Sequence, residues 1–237
     1  LLTTDPVFWQ TCWNTMYFAA ASLVVGVPLA MALAYAFTRA KGQAVWRSLY
    51  WLPMITNVVA VAYIWKFIYD DRYGVLNRTL GLMGLGAPGW LTNPSLAMTS
   101  VVLVFVWMQL GHNMLLFSAC LSNIDESYYE AARLDGATEG QIFRKITVPL
   151  LMPTTLFVLI TNFITGLSYF ALMLALTDGN GGPLRATTTT GLYMYNMAFA
   201  DLRMGRASAV AYILFAVILV VTLIQLRVFR RGGVEAH

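Results

Sequence analysis

Two sets of residues in this chain have types and spacings that suit a task. The first is Glu130-Ala131-Ala132, followed by Asp135-Gly136, in a charged stretch between two apolar runs. By residue type alone this is a charged, amphipathic stretch, a solvated loop between apolar runs. The second set is Asn162, Thr165 and Tyr169 at i, i+3 and i+7, with Thr161, Thr165 and Ser168 at i, i+4 and i+7. On a helix both rows share one face. Amides, hydroxyls and an aromatic ring on one face suit a neutral polyol, the amides bonding its hydroxyls and the ring stacking on a sugar. Gln109 and Asn113, and separately Asn57, add polar groups in other apolar runs, with His112 and Gly111 beside the first two.

Covalent chemistry has no support. No G-x-x-x-x-G-K-[ST] occurs, and no Gly is followed by Lys, so a phosphate-cradling loop for ATP is not on this chain. His112 and His237 stand alone, Cys12 and Cys120 sit in apolar runs, and the apolar runs hold no paired carboxylates or metal-ligand spacing. The cysteines read as packing residues.

The elements that carry these residues are membrane spans. Of 237 residues 59% are hydrophobic and only 11% are charged, with a mean hydropathy of +0.66. A soluble domain has about 25% charged residues, and disorder needs low hydrophobicity. Five runs approach the roughly 20 apolar residues that cross a bilayer: Cys12–Phe37, Leu49–Ile68, Leu96–Leu121, Pro149–Leu176 and Ala207–Val228. Gly26 and Pro28 interrupt the first, which a membrane helix tolerates. Lys66 lies near the end of the second and is expected to snorkel.

The net charge of +4 does not indicate nucleic acid, because the basic residues lie between the apolar runs. Arg39, Lys41, Arg47, Arg133, Arg144, Lys145, Arg227, Arg230 and Arg231 fall on one side. Arg72, Arg78, Arg185, Arg203 and Arg206 fall on the other. The bias places the first set, and the C-terminus, in the cytoplasm. Leu1–Gln10, Tyr69–Pro94 and Thr177–Arg206 are then outside. An outside N-terminus that begins with Leu and has no signal peptide leads to the expectation of a further span upstream. The outer stretch Tyr69–Pro94 reads as a short interfacial helix with Trp90 as an anchor, or as a contact for an extracytoplasmic protein.

The long cytoplasmic stretch is residues 122–148. Its polar periodicity breaks at Gly136. Thr138-x-x-Gln141 then has capping-box spacing, and Ile142, Phe143 and Ile146 give the following helix an apolar face. The expectation is helix, glycine turn, helix along the membrane surface, with Pro149 opening the next span.

The order Glu130-Ala131-Ala132, Gly136, Ile146, Val148-Pro149 resembles the EAA motif of bacterial ABC importer permeases, E-A-A-x3-G-x9-I-x-L-P, with Val148 for Leu. Further stretches are similar to the carbohydrate, maltose-type branch. They are Asp5-Pro6-x-Phe8-Trp9 with Asn14-Thr15, Asp135-Gly136-Ala137, and Thr177…Gly181-Gly182-Pro183, which is stretched relative to T-x-G-G-P. Gly205-x-Ala207-Ser208-Ala209 also matches, with Arg206 where an aromatic is common.

The resemblance implies an all-α permease over residues 1–237 in the bacterial inner membrane, importing sugars or related polyols. Its partners would be a second permease subunit, two cytoplasmic ATPase subunits and an extracytoplasmic solute-binding protein. ATP and Mg would be held by the ATPase, with no cofactor on this chain. Glu130, Ala131, Ala132, Asp135 and Gly136 would dock on the ATPase. Asn57, Gln109, Asn113, Thr161, Asn162, Thr165, Ser168 and Tyr169 would line the substrate pathway. For that set, hydrogen bonding between helices is the competing role. Rivals are the same machine carrying glycerol phosphate or a glycerophosphodiester, and an ion-coupled carrier. The spans hold no Asp or Glu for the latter.

Overall fold

The computed structural model describes residues 5–38 and 50–231. Arg39, Lys41, Arg47, Leu49 and His237, and the side chains of Arg230 and Arg231, lie outside the described residues. The described residues form helices joined by turns.

Helix α1 (Pro6–Thr38) begins where the Asp5 carboxylate accepts the N–H groups of Val7 and Phe8 at 3.0 and 3.3 Å, with Pro6 in its first turn. Such a cap satisfies amides that a helix leaves unpaired. Its buried stripe includes Phe8, Thr11, Thr15, Phe18, Ser22, Gly26, Ala30 and Ala34, spaced three or four apart. Small residues on that stripe let neighbouring backbones come close, the main source of cohesion between helices in lipid. α1 packs along α4 (Pro94–Leu121) and α7 (Met152–Ser168). Phe18 meets Phe105 of α4 at 4.9 Å between ring centroids.

Three of the five expected spans are single long apolar helices: α1, α4 and α10 (Met204–Arg231). The other two are broken. Residues 50–55 are helical, the chain turns at Thr56-Asn57, and α2 (Val58–Ile68) starts with the Asn57 side chain accepting the Val59 N–H at 2.8 Å. An Asn that satisfies the first-turn amides makes a helix start where hydropathy alone shows one run. The run Pro149–Leu176 divides more sharply. α6 (Glu139–Leu150) contains a π-helical turn at Phe143–Thr147 and meets α7 at a 66° bend. α7 then stops at Tyr169, whose backbone is extended, before the short α8 (Ala171–Leu176). Pro149 therefore does not open the span; it lies in α6, ahead of the bend at Leu151.

The outer segments also differ from simple loops. α3 (Val75–Leu82) is the expected short helix, and Trp90 packs within this outer segment. Its indole N–H donates to Asn77 Oδ1 at 2.8 Å and its ring stacks on Tyr69 at 5.7 Å. Residues 177–189 fold back into the bundle, burying Thr187, Thr188, Thr189 and Thr190 ahead of α9 (Thr190–Phe199). Lys66 pairs with Asp178 of that segment.

Candidate functional site

The glycine turn predicted from the sequence is a Schellman cap. α5 (Glu126–Leu134) starts where Asp125 accepts the Ser127 N–H at 2.9 Å, and that bond holds the Asp125 carboxyl below its ordinary pKa. It ends with Ala137 N–H on Ala132 O and Gly136 N–H on Arg133 O, both at 3.0 Å. Gly136 has φ +78°, the left-handed conformation this cap requires and glycine adopts without strain. The Thr138–Gln141 capping box is formed in both directions, at 2.8 and 3.4 Å, and starts α6.

The inner face of this helix pair is anchored. Tyr129 and Ile142 are buried, and Thr147 Oγ1 lies 3.5 Å from the Tyr129 hydroxyl. Arg133 bridges the pair, 3.8 Å from Glu126 and 3.5 Å from Glu139. Among the described residues the outer face is bare of such packing. Glu130, Ala131, Asp135 and Gly136 are exposed, Ala132 is half-buried, and Leu134 is 89% exposed at the tip. An apolar side chain held out on a rigid turn beside an exposed carboxylate has the composition of a protein-binding knob. Sequence reading passed over Leu134 and Tyr128, also exposed. Their positions on the polar side of α5 are the signal that could have found them.

The polar residues of the spans divide into separate environments. Asn113 of α4 and Asn162 of α7 are buried and bond to each other, and Asn162 also donates to Val158 O at 2.8 Å. Thr161, Thr165 and Ser168 each donate to the carbonyl four residues back, at 2.9 Å. A hydroxyl so engaged keeps its acceptor capacity. Ser168 is exposed, while Thr161, Thr165 and Tyr169 are partly open. Tyr169 packs on Phe105 at 4.9 Å, where α7 ends. Gln109 is half-buried on α4, one turn before Asn113. Asn57 is placed apart, capping α2, and its neighbour Thr56 lines an apolar cavity with Trp65 and Trp107. Gly166 marks close packing of α7 on α1, since a Cβ there would stand 3.1 Å from Ala19 Cα.

A bundle of apolar helices, two of its spans broken, with a capped helix–glycine–helix projecting from one end, is the architecture of a membrane transport subunit. The family model for the binding-protein-dependent transport system inner membrane component matches residues 26–232, and the chain belongs to that family. It is an ABC importer permease subunit. It is similar to the lactose transport system permease protein LacF of Rhizobium radiobacter, 34% identical over 229 residues, covering 94% of this chain and 76% of the relative. It is also similar to the probable ABC transporter permease protein YesP of Bacillus subtilis, 37% identical over 227 residues, covering 94% and 73%. The fold matches a bacterial ABC transporter that imports the acidic polysaccharide alginate. The TM-score there is 0.88 at 24% identity, over 98% of this chain and 82% of that one.

Proposed function

We propose that this chain forms half of the translocation pathway of an ATP-driven importer of sugars or related polyols. The observation that carries the reading is the rigid, capped turn at Gly136 holding Glu130, Ala131, Leu134 and Asp135 out from the bundle. Such a turn serves as the docking surface for a cytoplasmic ATPase subunit. Glu130 pairs with a basic side chain, Ala131 and Ala132 allow close approach, and Leu134 fills an apolar pocket.

When ATP draws two ATPase subunits together, the docked pair α5–α6 moves as one body. Tyr129–Thr147 and Arg133–Glu139 make the pair one body, and α6 continues through the bend into α7, so the motion passes into the spans, which alternate between inward- and outward-open states. A second permease subunit completes the pathway, and a solute-binding protein delivers substrate from outside. ATP and Mg are held by the ATPase. The C-terminus and residues 122–148 are cytoplasmic.

Within this chain the pathway runs past the open side of α7. Thr161, Thr165 and Ser168 offer acceptors to substrate hydroxyls there, and Tyr169 offers a ring. Asn113 and Asn162 close its inner wall beside Gln109, and Asn57 stands at the break before α2. A neutral substrate fits because these groups carry no charge. The lactose transport assigned to LacF supports the same class.

The test is reconstitution in liposomes with the second permease, the ATPase and the binding protein. Neutral oligosaccharides should stimulate ATP hydrolysis and accumulate inside. Stimulation by glycerol phosphate alone would overturn the sugar assignment.

A further inference from the structure

Both ends of α1 are held by polar contacts that the pathway and the docking surface leave unused. At the outer end, Gln10 Nε2 donates to Leu184 O, and Asn14 Nδ2 donates to the carbonyls of Arg185 and Thr188, all at 3.0 Å. Thr15 Oγ1 accepts the Thr190 N–H at 2.8 Å. These contacts fall on a segment held in an uncommon conformation, since Leu184 and Arg185 have φ of +51° and +60°. Non-glycine residues persist there only where their surroundings fix them.

At the other end, the Tyr35 hydroxyl donates to Glu139 Oε2 at 3.1 Å, and the Tyr35 ring packs on Phe143 at 4.8 Å. Glu139 is also the residue that Arg133 reaches from α5. One side chain of α1 thus touches both the first turn of α6 and the ion pair that joins α6 to α5.

Between these ends α1 is one helix of 33 residues, about 50 Å long at 1.5 Å per residue. Pro28 removes one hydrogen bond near its middle. Val27, Ala30 and Met31 around it are buried in the same cluster as Met114 and Phe117 of α4, so the helix is clamped across that position.

We propose that α1 is the rod through which the coupling loop and the outer segment 184–190 act on each other, with Tyr35 and Asn14 as its positioning residues. The proposal rests on the docking reading above. Displacement of α5–α6 pulls on Tyr35 through Glu139. A clamped helix passes that displacement along its axis to Asn14, whose two carbonyl bonds set the backbone of the outer segment. The reverse path lets an event at the outer face reach the ATPase, as reciprocity between coupled sites requires.

The experiment uses the assembled transporter in liposomes, with the unaltered chain, Tyr35→Phe, Asn14→Leu and the double variant. Tyr35→Phe keeps the ring on Phe143 and removes only the hydroxyl. Three quantities are read: ATPase retained on purification, basal hydrolysis, and the factor by which liganded binding protein stimulates hydrolysis. Retention and basal hydrolysis should match the unaltered chain. Stimulation should fall about five-fold or more in each single variant, the lower end of coupling between sites. The double variant should fall no further than the worse single, because both changes cut one line. Full stimulation in both singles would overturn the proposal, as would independent losses that multiply in the double. Loss of the ATPase from Tyr35→Phe would also overturn it, since the contact would then hold the docking surface and transmit nothing. The docking reading fails separately, if Gly136→Val and Glu130→Lys both retain the ATPase.

Discussion

Asn113 and Asn162 exchange amide hydrogen bonds across the contact of α4 with α7, Asn162 Nδ2 donating at 2.9 Å and Asn113 Nδ2 returning a longer contact of 3.4 Å. The two helices flank residues 122–148, and the pair ties them together two to three turns in from that loop. Asn162→Leu leaves the Asn113 amide buried without its partner, at a cost of about 1–3 kcal/mol. The melting temperature of the purified transporter should fall, and Asn113→Leu in the same chain should recover part of the loss. Uptake measured on the double variant tells the roles apart. Lost uptake with recovered stability places the pair on the pathway, and normal uptake makes it a structural tie alone. Tyr169→Leu should abolish uptake with assembly and basal hydrolysis intact.

Gly111 and Gly166 are fixed by contact, not by backbone angle. A Cβ at Gly111 would lie 2.1 Å from the Tyr50 carbonyl oxygen, and one at Gly166 would lie 3.1 Å from Ala19 Cα. Gly111→Ala and Gly166→Leu should each destabilise the chain by about 1–3 kcal/mol, as overpacking does. Gly140→Ala is the control, because nothing lies within 4 Å of the added carbon. Melting of the three variants in detergent checks the order, and equal stability for all three would contradict it.

Asp5 ties the start of α1 to α9, its carboxylate accepting the Tyr193 hydroxyl at 2.5 Å. That bond, with the N–H groups of Phe8 and Val7, holds the Asp5 carboxyl below its ordinary pKa, against an opposing effect of burial. A depressed carboxyl stabilises the fold above the unfolded value of about 4 and loses that contribution as pH falls through the folded value. The gap in melting temperature between the unaltered chain and Asp5→Asn should therefore be widest near neutral pH and shrink below about pH 4. Burial first, and then Asp5, push Tyr193 up to about 12, so its contribution fades only as pH rises from about 10 towards that value. A gap that does not change with pH would show that the bond contributes nothing.

Sidedness has a separate check. Single cysteines at Thr138 and Tyr73, both exposed, should react oppositely with an impermeant thiol reagent on intact cells. Tyr73 should label and Thr138 should not. Labelling at Thr138 from outside would reverse the orientation.

The turn at Gly136 and the cap after it were legible in the sequence almost to the atom. A cap spacing, a glycine and an apolar face are local signals, and the Gly136 turn and the Thr138–Gln141 box need no distant partner. The breaks at Asn57 and Tyr169 were hidden because hydropathy averages over a turn, whereas a cap or an extended residue acts at one position. The partner of Lys66 could not be read, because Asp178 lies over a hundred residues away and only the fold brings them together. The same holds for Thr187–Thr190, which composition alone assigns to the surface and the bundle buries.

The account stands or falls on the loop at Gly136. With φ +78° and open space around it, Gly136→Val strains the backbone without a clash, by about 1–2 kcal/mol. Gly136→Asn should be tolerated, since Asn takes this conformation more readily. Glu130→Lys sets a like charge against the basic partner proposed for Glu130, which costs several kcal/mol at an interface. The decisive measurement is the amount of ATPase that co-purifies with the permease, for the unaltered chain and these three variants. Gly136→Val and Glu130→Lys should lose the ATPase while remaining in the membrane, and Gly136→Asn should keep it. Full retention in both Gly136→Val and Glu130→Lys would contradict docking at this turn.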